Sequence, residues 1–475
     1  MSISPALILG LIGGLLVLAF LANRVFRLTG VPDVVLLMAL GVILGPVLGL
    51  IRPGSLTTTT HLLGTLAIIL VLFEGALELD LRDTLRHFPG SLLLALLAYV
   101  LSAALVAAIV TYALGLPWVS GLLVGAALGC TSSTVVLPVL QHMNVEEAAR
   151  VTLVLEASWG DVLAVLSVSL LLDLHRSGGP IALGLALGAL RQVGVALLFS
   201  VTAGVLWSRL LRVLTEQRFW QVLTFSIVLV LYAGMEALGA NGLIAVLGFG
   251  LTLANFPGID PELGFRHLYT AIIQPQQALL TFHSELAFLV RTFFFVLIGA
   301  VAELQTFFEH PLLMAGTVAA LFLARWLAVH ASRWAWRGVG KQGREAILWM
   351  LPRGLITVVL AIEATEARGN ELSFLPALAF AVILATNLLV LFGSVKIRRE
   401  AAETVAAGES AAVPAETAAA TLPQERAGRA QRRWVLDATL LFCLAIAGVV
   451  LWYGNARNGS GPPSMLHWIR QRLHR

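Results

Sequence analysis

This sequence predicts an all-α polytopic membrane protein, and three observations carry that expectation. Hydrophobic residues make up 58% of the 475 and charged residues only 12%. Mean hydropathy is +0.89, a balance that a water-soluble domain of this length does not normally reach. The apolar residues fall in runs of about 17 to 25, the length that a helix rising 1.5 Å per residue needs to cross a hydrocarbon core of roughly 30 Å. Alternating segments of about ten residues, the mark of a transmembrane barrel, are absent.

About thirteen spans follow in order, near 5–22, 33–51, 60–77, 91–112, 118–140, 150–173, 181–204, 219–236, 239–256, 284–301, 311–332, 345–366 and 373–395. The first has no basic residue ahead of it and no small-residue cleavage site behind it, so it reads as an uncleaved span. Odd-numbered loops hold Arg24, Arg27, Arg82, Arg86, Arg209, Arg212, Arg218, Arg266, Arg333, Arg337, Lys341, Arg344, Lys396, Arg398 and Arg399, with Arg150 at the edge of the fifth. Even loops hold only Arg52, Arg176 and Arg368. The positive-inside rule then sets the N-terminus outside and residue 400 in the cytoplasm, as expected of a protein of the bacterial inner membrane.

Residues 1–400 thus read as the membrane domain. Residues 401–433, rich in Ala and Glu, read as a flexible cytoplasmic linker. In 434–475 an apolar helix, either a fourteenth span or an interfacial one, precedes a basic tail with Arg457, Arg470, Arg472 and Arg475. Cys130 and Cys443 both lie in apolar runs, which argues against a disulfide framework and against a cysteine metal site. No cofactor is expected. The net charge of +4 is explained by the loops, so no nucleic-acid partner is read from it.

The two halves are related at a seven-span offset. VLFEGALEL at 71–79 matches VLIGAVAEL at 296–304, and ALGVILG at 39–45 matches VLGFGLTLA at 246–254. An odd offset inverts the second copy in the membrane, an arrangement whose ion sites lie near the midplane on discontinuous helices. Spans five and twelve then correspond, and both carry helix-interrupting residues. Gly129 precedes Cys130, Thr131, Ser132, Ser133 and Thr134 in the first, and Pro352, Arg353 and Gly354 stand together in the second.

Within span six, Glu156 and Asp161 place two carboxylates in apolar surroundings. An ionisable group at that depth costs about 2.5 kcal/mol or more and marks a functional site by default. On a regular helix the two differ by about 140° around the axis and about 7.5 Å along it, so they do not share one site. Asp161 is expected to face the ion path, with Ser158 three residues earlier on nearly the same face. Glu156 is expected to hold a permanent partner, since an unpaired buried charge is far costlier than a paired one. The buried basic candidates are Arg191, Arg291, Arg325 and Arg353; Arg325 in the interior of span eleven is preferred, while Arg291 reads more simply as a snorkelling interfacial arginine. Glu74, near the end of span three, is a second cation ligand, a gate or an interfacial carboxylate. His87, His142, His175, His267 and His283 fall near expected membrane edges.

On these residues the chain resembles the monovalent cation/proton antiporters over essentially all thirteen spans. The sodium/proton exchanger branch carries Glu-Ser-x-x-Asn-Asp, whose two acids match Glu156 and Asp161 at the same spacing. The branch's upstream Thr-Asp pair aligns with Thr131 and Ser132, its buried arginine with Arg325, and its later Arg-Gly with Arg353 and Gly354. Phe73-Glu74-Gly75 and the Phe294–Gly299 run are also similar. Three departures stand out: the family serine is Ala157, its asparagine is Gly160, and the aspartate of the Thr-Asp pair is Ser132. The Ser-Ser-Thr run is similar instead to the potassium-efflux branch. The resemblance implies an inverted-repeat fold with crossed discontinuous helices, a homodimer, and transport by an elevator-like shift of a core bundle. It implies exchange of Na+ or K+ for H+ with Asp161 as the site of both, Thr131, Ser132, Ser158 and Glu74 as further ion contacts, and Ser133, Pro352, Arg353 and Gly354 at the crossing.

Other classes fare worse. An intramembrane aspartyl protease needs a second apposed aspartate, and Asp173 and Asp437 sit at the edges of their runs. A passive cation channel lacks an evident selectivity ring.

Overall fold

The computed structural model describes residues 5–29, 32–48, 57–78, 81–141, 143, 145–177, 181–214, 218–259, 268–302, 309–336 and 339–410. In chain order its α-helices are α1 (Pro5–Thr29), α2 (Asp33–Val42), α3 (Thr57–Glu78), α4 (Leu81–Leu114), α5 (Trp118–Leu128), α6 (Ser133–Gln141), α7 (Glu147–Ser177) and α8 (Ile181–Leu214). There follow α9 (Trp220–Ala237), α10 (Gly242–Ile259), α11 (Leu268–Val301), α12 (Pro311–Ala331), α13 (Lys341–Trp349), α14 (Leu355–Arg368) and α15 (Leu375–Ser410). No strand occurs among the described residues, as expected where lipid leaves a backbone no partner but its own helix.

Among the described residues eight helical segments are long and apolar enough to cross a membrane, and three shorter apolar ones accompany them, including Asp33–Val47 and Gly242–Asn255. The expected spans near 118–140 and 345–366 are each a pair of half-helices, α5 with α6 and α13 with α14. Asp33–Val47 also changes character midway: Pro46, with no N–H to donate, falls in a π-helical turn over Ile43–Val47 that ends α2. Helix α15 runs on to Ser410, so residues 401–410 are helical where the sequence reads as linker. The rest of that segment and residues 434–475 lie outside the described residues.

The helices pack as two groups. In one, α2 and α3 lie on α11, α3 on α10, and α10 on α8 and α9. In the other, α4 contacts α5, α7 and α12, α6 lies on α7, α5 on α14, and α15 on α13 and α14. They meet along a seam where α3 touches α6 and α14, α7 touches α8 and α10, and α2 touches α15. One continuous apolar cluster runs through both groups, with Phe73, Phe249, Phe294 and Phe295 fully buried.

The first group is held by close backbone approach. A β-carbon at Gly41 would overlap the Val296 carbonyl oxygen, and one at Gly45 the Ala300 carbonyl oxygen. With lipid as apolar as leucine, such contact is what drives helices together. Arg291 departs from the snorkelling expectation: its Nη2 donates to Asp33 Oδ2 at 3.2 Å, tying α11 to the first residue of α2. His283 departs as well, since it is fully buried in α11. Its ring packs edge-on against Phe73, Phe282 and Phe225, with Nδ1 bonded to the Leu279 carbonyl at 2.8 Å.

Candidate ion-binding site

The site is built where two interrupted helices pass. Helix α5 stops at Leu128, residues 129–132 run non-helically, and α6 starts at Ser133. Helix α13 stops at Trp349, residues 350–354 run non-helically, and α14 starts at Leu355. Pro352 cannot continue a helix ladder, and a β-carbon on Gly354 would overlap Ser132 Oγ. Only glycine lets the two chains touch there.

A backbone bond from Ser132 N to Pro352 O, 2.8 Å, joins the breaks. The Ala126 carbonyl, in the last turn of α5, accepts from Gly129 N at 3.4 Å and from Tyr99 Oη at 3.3 Å. Arg353 is locked at its backbone, N donating to Thr386 Oγ1 at 3.1 Å and O accepting from Asn387 Nδ2 at 2.9 Å. Thus α15 fixes the second break, as α4 fixes the first.

Both carboxylates of α7 reach the first break. Glu156 Oε1 accepts from Thr131 Oγ1 at 3.0 Å and stands 2.9 Å from Arg325 Nη1. Arg325 is oriented by its Nε donating to the Ile347 carbonyl at 2.9 Å. Arg353 Nη1 donates to Thr131 Oγ1 at 3.2 Å and Nη2 to Ser102 Oγ on α4 at 3.4 Å. Asp161 Oδ2 accepts from Ser133 Oγ at 2.6 Å. Its Oδ1 is buried with no hydrogen-bond partner among the described residues.

The non-helical first break lets one segment of chain meet both carboxylates, although they lie on different helix faces. They stand about 7.5 Å apart along the axis of α7, a span that two residues outside a helix can reach, at about 7 Å; Thr131 meets Glu156 and Ser133 meets Asp161. Glu156, Asp161, Arg325 and Arg353 are each no more than 2% exposed. With every group ionised their formal charges sum to zero.

The other expected site residues make different contacts. Ser158 donates to the Val154 carbonyl at 2.9 Å, within its own helix. The Ser132 hydroxyl pairs with Thr134 Oγ1 at 2.8 Å rather than with Asp161. Glu74 is half-buried in α3, outside this bonded cluster. Arg191 is exposed and donates to the Gly239 carbonyl at 3.2 Å. Ser102, Thr386 and Asn387 were not foreseen, being single polar residues in apolar helices whose role depends on what packs beside them.

Two buried acids and two buried arginines at a double helix break, within a bundle that holds helices long and apolar enough to cross a membrane, define the class: a helical membrane protein with a buried charged cluster at its core. The chain belongs to the sodium/hydrogen exchanger family, whose transmembrane model matches residues 15–396. It is 25% identical over 392 residues to the K+/H+ antiporter NhaP2 of Shewanella oneidensis, covering 80% of this chain and 64% of that protein. It is 24% identical over 371 residues to Na+/H+ antiporter 1 of Methanocaldococcus jannaschii, covering 74% of this chain and 82% of that one. The fold is similar to the solved structure of the sodium proton antiporter MjNhaP1 from M. jannaschii, with a TM-score of 0.65, 21% identity, and coverage of 82% of this chain and 95% of that one. The chain thus spans a little under two thirds of the length of the first of these relatives.

Proposed function

We propose that this protein exchanges a monovalent cation, Na+ or K+, for H+ across a membrane by alternating access, with both ions taking turns at Asp161. The observation that carries this reading is the open acceptor Asp161 Oδ1, buried beside the break while Oδ2 is held by Ser133. A carboxylate takes a proton or a hard cation, and oxygen ligands suit the latter. Competition for one carboxylate couples the two flows without a further device.

Charge supports one-for-one exchange. Arg325, Arg353 and Glu156 contribute a fixed net charge, so a proton and a monovalent cation at Asp161 leave the site with the same total. The two loaded forms then cross with the same electrostatic cost, and the exchange is electroneutral. Matched breaks at α5–α6 and α13–α14, seven spans apart, support thirteen spans in two inverted repeats. The loop charges favour an outside N-terminus and an inner-membrane location, and the family resemblance favours a homodimer.

Purified protein in liposomes tests the proposal. A pH gradient should collapse on adding Na+, K+ or Li+ with no current at clamped voltage; a current following the cation gradient without proton movement would replace the exchanger with a channel. The cation concentration for half-maximal rate should rise as pH falls, by up to about tenfold per unit, because H+ occupies the same carboxylate by mass action. A half-maximal concentration independent of pH would exclude competition.

A further inference from the structure

The crossing is closed at both of its far ends by a glutamate, and the two closures are reciprocal. Helix α5 lies antiparallel to α14, since Ser120 at the start of α5 meets Arg368 at the end of α14 while both inner ends reach the breaks. There Ser120 Oγ donates to Glu371 Oε1 at 2.6 Å, and Arg368 Nη2 donates to Ser120 Oγ at 2.7 Å. At the opposite end both carboxylate oxygens of Glu146 lie 2.9 Å from Gly340 N, the residue that precedes α13. A β-carbon on Gly340 would overlap Glu146 Oε1.

Each glutamate lies just after the second half of one broken helix and grips the start of the other. Glu371 follows α14 and serves α5; Glu146 follows α6 and serves α13. Both carboxylates sit at a helix N-terminus, where the backbone dipole favours negative charge, and Arg368 sits in the last turn of α14, where it favours positive charge. At 1.5 Å per residue α5 is about 16 Å long and α6 about 13 Å. Such short half-helices, joined at the middle by the Ser132–Pro352 backbone bond, splay unless their outer ends are fixed.

We infer that Glu146 and Glu371 are positioning residues that hold the crossed half-helices in register, and so set how well Asp161 and Ser133 meet an ion. The effect on ion affinity rests on the exchanger reading; the effect on the crossing itself does not. The Glu371 closure includes a fully buried Ser120, whereas Glu146 is exposed, so the former should matter more.

The experiment compares wild type with Ser120→Ala, Glu371→Ala, Glu146→Ala and Glu146→Gln in two measurements: the cation dependence of proton exchange in liposomes, and amide hydrogen exchange of residues 129–136 in detergent. Expected are a rise of about tenfold in half-saturating cation for Ser120→Ala and Glu371→Ala, a smaller rise for Glu146→Ala, and recovery in Glu146→Gln, which keeps an acceptor for Gly340. Maximal rate per folded protein should stay within about twofold, and the Ser132 amide should exchange about tenfold faster in the first two variants. A merely structural role lowers the yield of folded protein and leaves half-saturation unchanged, and that result overturns the inference. If wild type itself exchanges no cation for protons, the exchanger reading fails while amide exchange still judges the clamps; unaltered exchange at 129–136 in Ser120→Ala and Glu371→Ala overturns them alone.

Discussion

In the group formed by α1–α3 and α8–α11, helices meet backbone to backbone: Gly41 of α2 and Gly45 of the π-helical turn after it lie against α11, and Gly250 of α10 lies against Ala76 and Phe73 of α3. In the group formed by α4–α7 and α12–α15, helices are interrupted and joined by polar side chains, with Arg353 reaching α4 and Thr131 while Glu156 meets Arg325. The first mode gives stiffness through close backbone contact, because small residues maximise van der Waals contact; its ionisable groups, buried His283 and the Arg291–Asp33 pair, stand apart from any helix break. The second gives up helical hydrogen bonds in order to expose carbonyls, hydroxyls and a carboxylate in one place. The proposed exchange draws on the second kind of packing, which alone brings a buried carboxylate to a helix break among the described residues.

That contrast yields graded expectations. Asp161→Asn should lower cation/proton exchange in liposomes at least a hundredfold while the thermal midpoint of the purified protein is kept, since Ser133 still has an acceptor and no arginine loses its contact; an active Asn variant would refute the site. Glu156→Ala should leave Arg325 buried and unpaired, costing about 3 kcal/mol of stability, and an unaltered denaturation curve would show that the pair does not hold the bundle. Gly41→Val in the apolar group should cost about 2 kcal/mol by overpacking against Val296, yet leave the half-saturating cation concentration of the folded fraction unchanged. If that substitution shifted ion affinity instead, the division of labour between the groups would be wrong.

The smallest effect is expected at the surface. The hydrogen bond from Lys341, 2.9 Å from Glu400 Oε2, holds the Glu400 carboxyl below the usual carboxylate range. A depressed carboxyl stabilises above its ordinary titration range and loses that contribution as pH falls through the lowered value. The pair is exposed and solvent screens it, so Lys341→Gln should leave the thermal midpoint at neutral pH within error; a clear drop would give the periphery a weight denied to it above.

What the sequence made readable follows from how local each feature is. The helix breaks announce themselves through Gly129 and through Pro352 with Gly354, because backbone freedom and a missing N–H act within the chain. The contact between Glu156 and Arg325 was readable because buried arginines are few. That Ser133 rather than Ser158 meets Asp161 was not, since it depends on how the first helix break passes α7. The Arg291–Asp33 contact joins residues far apart in sequence, and His283 shows its burial only once Phe73 and Phe225 are packed around it. The reciprocal glutamates look like ordinary loop acids until the antiparallel crossing brings Glu371 to Ser120 and Glu146 to Gly340.

Proton release on cation binding asks most directly whether one carboxylate serves both ions. Purified protein in weakly buffered detergent, at a pH where the site is protonated, should release about one H+ per Na+ or K+ bound, and Asp161→Asn should release none. Cation binding by the wild type without proton release, or undiminished release from the Asn variant, would contradict shared occupancy of Asp161.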